Sequence, residues 1–189
     1  MGAPLSDHKR IIPMMTTATQ NTTHRSASGK RDLRQLVVFQ LGGEGYCVDI
    51  SKVREINRVV EITHIPQSPP FVEGVINLRG QIIPIIDLRR RFDLTDNIAK
   101  ESNETRIMVV DTNGTLVGFI VDAVKEVLRI SADQIEPTPD LVTSDIDRKY
   151  IEGVATVEDR LLIILNSDLI FATEELGDLQ AVKEAHASD

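Results

Sequence analysis

Short apolar segments separated by tight turns run along the chain from residue 36 to about residue 165. They are rich in Val, Ile and Leu and end at Gly, Asn or Pro, as is typical of β-strands packed on a pleated surface. Three pairs of segments predict hairpins: residues 36–41 with 46–50, residues 74–78 with 81–87, and residues 106–111 with 115–121. The last pair flanks Asn113-Gly114, and this dipeptide readily adopts the positive φ angles that a two-residue hairpin turn requires.

The segments form an internal repeat. Residues 71–75 (FVEGV) match residues 150–154 (YIEGV) at an offset of 79, and Phe92 meets Phe171 at the same offset. Upstream, residues 53–56 match residues 124–127 at an offset of 71, because the second copy has a longer loop. Each copy contains about five short strands, a pattern that favours a small barrel or sandwich. Units of only ~65 residues are marginally stable alone, so we expect the two to pack together.

The ends of the chain differ from this region. Residues 1–34 lack apolar periodicity, and a stretch of Thr, Ser, Asn and Gln within them cannot offset its ordering entropy, so they predict a disordered tail. Residues 166–176 place Leu169, Ile170 and Phe171 at near-helical spacing and predict a C-terminal helix, followed by a flexible tail over 177–189. We therefore predict one folded region, 35–176, with its two barrel subdomains interlocked and divided near 100–105.

Charge and composition exclude several function classes. Residues 1–34 carry a net charge of +4, whereas the remaining residues carry −12. An acidic body is a poor partner for phosphate backbones, so no nucleic-acid binding is expected. No segment approaches the ~20 apolar residues of a membrane span, so we expect no direct membrane insertion and a cytoplasmic location. Cys47 is the only cysteine, which rules out an internal disulfide.

Residues with reactive side chains do not form a recognisable catalytic or metal site. The four His residues are His8, His24, His64 and His186, and none has a partner at metal-ligand spacing. We therefore predict no metal, no cofactor and no enzymatic activity. The basic run Arg89-Arg90-Arg91 predicts a solvated helical turn at the end of a barrel, with a docking patch for an acidic partner as the alternative.

Arg79 is a candidate binding residue. The turn that matches Arg79-Gly80 in the second copy is Glu158-Asp159, so the architecture does not require an Arg there. A guanidinium presented from a rigid hairpin is a planar, bidentate donor suited to a protein contact. Glu55 is a candidate for its partner.

These residues carry a resemblance to a known family. The stretch from Phe71 to Phe92, FVEGVINLRGQIIPIIDLRRRF, resembles the signature of the CheW family of chemotaxis coupling proteins. Residues 36–39, 46–56, 117–127 and 151–166 resemble the family's other blocks in order, so the similarity extends from about 36 to 171.

The resemblance implies an all-β fold of two tandem five-stranded SH3-like barrels with short helices. It also implies a non-catalytic adaptor of a two-component system, which joins the cytoplasmic tips of chemoreceptors to the regulatory domain of the histidine kinase CheA. Such adaptors are recruited to membrane-bound receptor arrays, where weak self-association is expected. By motif, the receptor-binding residues would be Val53, Glu55, Gly74, Asn77, Arg79 and Gly80, and the kinase-binding residues at a barrel end would be Ile56, Ile62 and Ile65.

Two alternatives stay open. The first is that the same fold serves another chemosensory pathway, such as pilus-based motility. A small barrel can also bind a small ligand or an oligonucleotide, although the charge of −12 and the scarcity of aromatic residues disfavour this. A chain of 189 residues leaves no room for receiver, phosphotransfer or ATP-binding domains, which favours a stand-alone adaptor.

Overall fold

The computed structural model describes residues 32–94, 102–139 and 148–171, and in addition Glu175, Gly177, Asp178, Gln180, Ala181 and Glu184. The regular secondary structure of the described residues is nearly all β, as predicted. Their eleven strands are β1 (Leu33–Leu41), β2 (Glu44–Asp49), β3 (Val53–Arg58), β4 (Val72–Leu78), β5 (Gln81–Asp87), β6 (Arg106–Thr112), β7 (Thr115–Val121), β8 (Ala123–Ser131), β9 (Ile135–Glu136), β10 (Ile151–Val157) and β11 (Arg160–Leu165). A short helix, α1 (Leu88–Arg91), follows β5, and 3₁₀ turns connect several strands.

The strands form two sheets of the same design. Sheet A has the order β8-β1-β2-β11-β10-β9, and sheet B has the order β3-β6-β7-β5-β4. Each sheet contains one parallel pair, β2 with β11 in sheet A and β5 with β7 in sheet B. The three predicted hairpins, β1–β2, β4–β5 and β6–β7, are all confirmed.

Each sheet is built from both halves of the chain. We call residues 32–94 the first half and residues 102–184 the second half. Hairpin β1–β2 of the first half completes sheet A, and hairpin β6–β7 of the second half completes sheet B. The sequence repeat is thus a structural repeat in which each half gives its first hairpin to the other half's sheet.

Three apolar clusters account for this arrangement. One contains Leu36, Cys47 and Ile164, and its members all come from sheet A; another contains Ile76, Ile107 and Ile120, all from sheet B. The largest lies between the sheets and draws side chains from both. Because strands such as β1 are buried on both faces, they read in sequence as continuous apolar runs.

Cys47 is fully buried in the sheet A cluster. Burial raises the pKa of its thiol to about 12, whereas an unfolded thiol titrates near pH ~8.5. Burial of the protonated thiol therefore stabilises the folded state at pH values below the unfolded-state pKa. This stabilisation is lost as the pH rises through the folded-state pKa. We expect Cys47 to react with Ellman's reagent at pH 8 at least ~1,000-fold more slowly in the native protein than in guanidinium chloride. Rapid reaction of the native protein would show that the cluster is open to solvent.

The triple-arginine run forms a helical turn as predicted, but two of its three side chains are not solvated. Arg89 is 4% exposed and forms ion pairs with Asp87 and Asp122. The guanidinium of Arg91 lies over the rings of Phe71, Tyr150 and Phe171, at 4.8, 5.4 and 5.6 Å from their centroids. Helix α1 follows directly after the buried strand β5, so the Arg89 and Arg91 side chains contact groups from segments that are distant in sequence. A local sequence pattern does not reveal such contacts.

Several predicted boundaries fall partly outside the described residues, among them the tail before residue 32 and the division near 100–105. Strand β1 begins at Leu33, so the last residues of the predicted tail belong to the sheet. Within the predicted helix over 166–176, Ser167–Leu169 form a 3₁₀ turn. The described residues from Glu175 to Glu184 are helical, and five of them lie in the segment 177–189 that was predicted to be a flexible tail.

Candidate functional site

The tip of the β4–β5 hairpin presents Arg79 to solvent. Arg79 and Gly80 have φ angles of 54° and 84°, as in the two-residue turns that match the twist of a hairpin. Asn77 fixes the turn, because its Oδ1 accepts a hydrogen bond of 2.8 Å from the backbone N–H of Gly80. The equivalent turn of the second half, Glu158-Asp159, has φ angles of 49° and 61°. The conformation is therefore repeated, whereas the guanidinium is not.

Arg79 contacts Glu55, as predicted. Its Nη2 donates to Oε2 of Glu55 at 3.3 Å, and this contact joins the hairpin tip to β3, the strand at the other edge of sheet B. The Arg79 side chain is 84% exposed and that of Glu55 is 27% exposed. Exposed ion pairs typically contribute only ~0–1 kcal/mol to stability. The pair therefore orients the guanidinium without being needed for the fold.

A β-bulge in β3 separates two of the predicted site residues. The register with β6 shifts between Val53 and Glu55, so Val53 pairs with Val110 and Glu55 pairs with Val109. Val53 packs against the cluster between the sheets, whereas Glu55 lies on the face of the sheet B cluster. Val53 therefore does not share the surface of the ion pair.

The residue within the bulge holds β3 to the adjacent strand. The Arg54 side chain donates to Oδ2 of Asp111 on β6 at 2.7 Å. Its hydrogen bond lowers the pKa of Asp111, assisted by the backbone N–H of Gly114. This contact fixes the end of β3 from which Glu55 projects.

Gly74 occupies a position that only glycine can fill. It has a φ of 150°, and a Cβ atom there would lie 2.1 Å from the backbone oxygen of Thr63. The close approach allows Thr63 and Val75 to exchange two backbone hydrogen bonds of 2.9 Å. Gly74 is buried, so its role in the site is to let the 59–65 segment cover the edge of β4.

The three predicted kinase-binding residues differ in exposure. Ile56 is 40% exposed on β3, and Ile62 is half-buried against the sheet B cluster. Ile65 is only 6% exposed and so offers almost no surface to a partner. Ile56 is therefore the principal apolar contact position among the three.

A second exposed cluster was missed by the sequence analysis. Val127 on β8 is 51% exposed, and the adjacent Glu126 accepts a hydrogen bond of 2.9 Å from Arg160. The repeat offset of 71 relates Glu55 to Glu126 and Ile56 to Val127, so the offset could have identified it. Glu126 and Val127 thus repeat Glu55 and Ile56, whereas Arg160 corresponds to Gln81 rather than to Arg79.

Among the described residues, no group of three or more His, Cys, Asp and Glu side chains is placed to hold a metal ion. Within the same part of the chain, none of the helices combines the length and the apolar character needed to cross a bilayer.

The family follows from comparison with known proteins. Residues 35–175 match the family model of the CheW-like domain. The chain belongs to the CheW family. Chemotaxis protein CheW of Rhizobium meliloti (strain 1021) is 35% identical over 161 residues, which cover 85% of this chain and 97% of the relative. Chemotaxis protein CheW of Treponema pallidum (strain Nichols) is 36% identical over 147 residues, or 77% of this chain and 86% of the relative.

A solved CheW structure supports the same fold. The crystal structure of the scaffolding protein TtCheW from Thermoanaerobacter tengcongensis matches with a TM-score of 0.69 and 36% sequence identity. The match covers 90% of this chain and 96% of that structure. The similarity to CheW therefore extends over both sheets and includes the β3 and β4–β5 segments that form the candidate site.

Proposed function

We propose that this CheW-family chain is a non-catalytic, cytoplasmic adaptor that couples chemoreceptors to the histidine kinase CheA within receptor arrays. The observation that carries the proposal is the guanidinium of Arg79, which is presented from a rigid turn and is 84% exposed. The equivalent turn adopts the same conformation with Glu158 in place of Arg79. An Arg at this position is therefore explained by recognition rather than by folding.

The receptor patch consists of Glu55, Asn77, Arg79 and Gly80 at one end of sheet B. Glu55 orients the guanidinium, and Asn77 fixes the turn from which it projects. The Arg79 N–H groups are suited to carboxylate or carbonyl acceptors on a receptor helix. Val53 and Gly74 do not contact the receptor directly. Val53 supports the patch through packing, and Gly74 supports it through its close backbone approach.

The kinase patch centres on Ile56. This side chain is 40% exposed, and Ile62 lies half-buried on the 59–65 segment. An apolar barrel end of this kind matches a partner domain that also has a small-barrel fold, such as the regulatory domain of CheA. Binding both partners at once would raise the local concentration of the kinase beside the receptor.

The packing of the sheets disfavours the alternative of a small-ligand carrier. The side chains of Leu36, Leu162 and Ile164 fill the inner face of sheet A, and those of Ile83, Ile85 and Ile107 fill that of sheet B. All six are at most 2% exposed. Barrels that carry ligands enclose a cavity instead.

Replacing Arg79 with Asn tests the proposal. Asn tolerates positive φ better than most residues, so the Arg79→Asn variant should keep the turn and the fold. Buried interface arginines typically contribute ~2 kcal/mol or more to binding, which predicts capture of receptor tips that is weaker by ~30-fold or more. The affinity for CheA should change by less than ~2-fold, because Arg79 lies outside the proposed kinase patch and residues outside an interface contribute little to its binding energy.

The matched control is Glu158→Asn, which makes the same change at the equivalent turn of the other half. Receptor capture, measured by surface plasmon resonance on immobilised receptor tips, should be unaffected by this control. Equal capture by wild type and Arg79→Asn would rule out the role given to Arg79.

A further inference from the structure

We propose that two copies of this chain can exchange halves, forming an entwined dimer in which each globule combines the first half of one copy with the second half of the other. The inference comes from how the sheets are assembled. Neither sheet is formed by the strands of a single half. Hairpin β1–β2 of the first half lies in sheet A with strands of the second half, and hairpin β6–β7 of the second half lies in sheet B with strands of the first.

Pairing between the halves holds both sheets together. Strand β1 pairs with β8 from Leu33–Ser131 to Gln40–Ala123, and β3 pairs with β6 from Val53–Val110 to Arg58–Arg106. The two parallel pairs, β2 with β11 and β5 with β7, also join one half to the other. Each half alone would therefore leave strand edges unpaired, which is unfavourable for an isolated unit.

The apolar clusters require both halves in the same way. In the sheet A cluster, Leu36 and Cys47 of the first half pack with Leu162 and Ile164 of the second. The sheet B cluster and the cluster between the sheets are likewise composed of residues from both halves. The halves are thus complementary parts of one globule.

A single covalent connection joins these parts. It runs from Leu94 to Ser102 through the seven residues 95–101. Fully extended, this link spans at most ~28 Å. Exchanging halves between two copies restores every strand pair and every cluster, because the contacts between halves are non-covalent and only the path of the link differs.

The balance between the closed monomer and the exchanged dimer depends on protein concentration. Since both forms contain the same contacts, the monomer dominates until the chain concentration approaches the effective concentration of the linked halves, ~1 mM for a short link. Crowding many copies into a small region would favour exchange.

The exchanged dimer would be a bivalent adaptor, a consequence that rests on the proposed function. Glu55 and Arg79 both lie in the first half, so exchange leaves their ion pair intact. Each dimer would carry two receptor patches held together by two links, and binding to neighbouring receptors would gain avidity without any new contact.

Disulfide trapping in the full-length chain tests the exchange. Gln35 on β1 and Arg129 on β8 are directly opposed across the halves. Opposed residues on antiparallel strands lie ~4.5–5.5 Å apart, within disulfide range. In a Cys47→Ala background, one chain carries Gln35→Cys and a second, separately tagged chain carries Arg129→Cys. The two are mixed unfolded and refolded either at ~1 mM, near the exchange threshold, or at ~10 µM, far below it, and are then oxidised.

The control pair has both partners in the second half. Thr156 on β10 and Leu161 on β11 are exposed and directly opposed. Thr156→Cys in one chain and Leu161→Cys in the other remain in different globules whether or not the halves exchange. Disulfides that form by random collision should therefore be equally frequent in both mixtures.

We expect the 35–129 mixture to give a covalent heterodimer at least ~10-fold more abundant than the 156–161 mixture at the higher concentration, and little at the lower one. Light scattering before oxidation should show a dimer at the higher concentration. Equal cross-linking in the two mixtures, or a monomer alone by scattering, would overturn the exchange. Since no receptor or kinase is present, that failure would leave the proposed function untouched.

Discussion

Arg89→Met should lower the free energy of unfolding by ~3–5 kcal/mol, because it leaves buried carboxylates without their counterion. The Arg89 guanidinium donates to both carboxylate oxygens of Asp87, at 2.9 and 2.8 Å, and to Asp122 at 3.1 Å. The Arg89 and Asp87 side chains are 5% and 4% exposed. Asp122 also accepts the backbone N–H of Gly42 at 2.7 Å, so the cluster joins α1, the β7–β8 junction and the β1–β2 turn.

Chemical denaturation at pH 7 measures this loss, with Arg90→Ala as the control in the same helix. Arg90 is exposed and pairs with Glu73 at the surface, so its removal should cost at most ~1 kcal/mol. A loss below ~1 kcal/mol at pH 7 would show that the ion pairs do not hold these elements together.

Gly74→Ala should lower the free energy of unfolding by ~2–4 kcal/mol, because it combines an unfavourable backbone conformation with overpacking. The added Cβ would lie 2.1 Å from the backbone oxygen of Thr63 and 2.9 Å from Cγ2 of Ile62. Relief requires the 59–65 segment to move away from β4, which would break the two hydrogen bonds between Thr63 and Val75. The variant should therefore lose stability and, by displacing Ile62, weaken kinase binding as well.

Gly114→Ala separates these two causes. Gly114 has a φ of 84°, and a Cβ atom there would have no neighbour within 4 Å. The change should lower the free energy of unfolding by only ~1 kcal/mol, which is the contribution of the unfavourable backbone conformation alone. Thermal unfolding of both variants gives the comparison, and equal losses would mean that the contact with Thr63 is unimportant.

Much of the fold could be predicted because its signals are local. The turns at Arg79-Gly80, Asn113-Gly114 and Glu158-Asp159 are set by residues within each hairpin, and all three have positive φ angles, as predicted for Asn113-Gly114. Arg79 could be singled out because the repeat supplies its own comparison in Glu158. Glu55 was a candidate partner of Arg79, and the structure shows their contact, although β3 and β4 lie at opposite edges of sheet B.

Other features depend on pairings between distant segments. The exchange of hairpins between sheets arises from strand pairs such as β2–β11, which no local periodicity reveals. The bulge beside Arg54 reverses the expected alternation, so Val53 and Glu55 face opposite sides of β3. The resemblance placed Ile65 among the kinase-binding residues, yet it is only 6% exposed. Arg89 is likewise buried because Asp122 approaches it from 33 residues away.

The most direct test of the adaptor function is a bridging assay. Receptor tips are immobilised, CheA is added in solution, and CheA retention is measured with and without this chain. Wild type should retain CheA on the receptor. The Arg79→Asn variant should fail to bind the receptor tips, so that neither the variant nor CheA is retained. The Ile56→Glu variant should stay bound to the receptor tips but retain at least ~10-fold less CheA, as expected for a charge placed in an apolar contact. Undiminished CheA retention with both variants, or no retention with wild type, would contradict the proposal that this chain joins receptor to kinase through two separate surfaces.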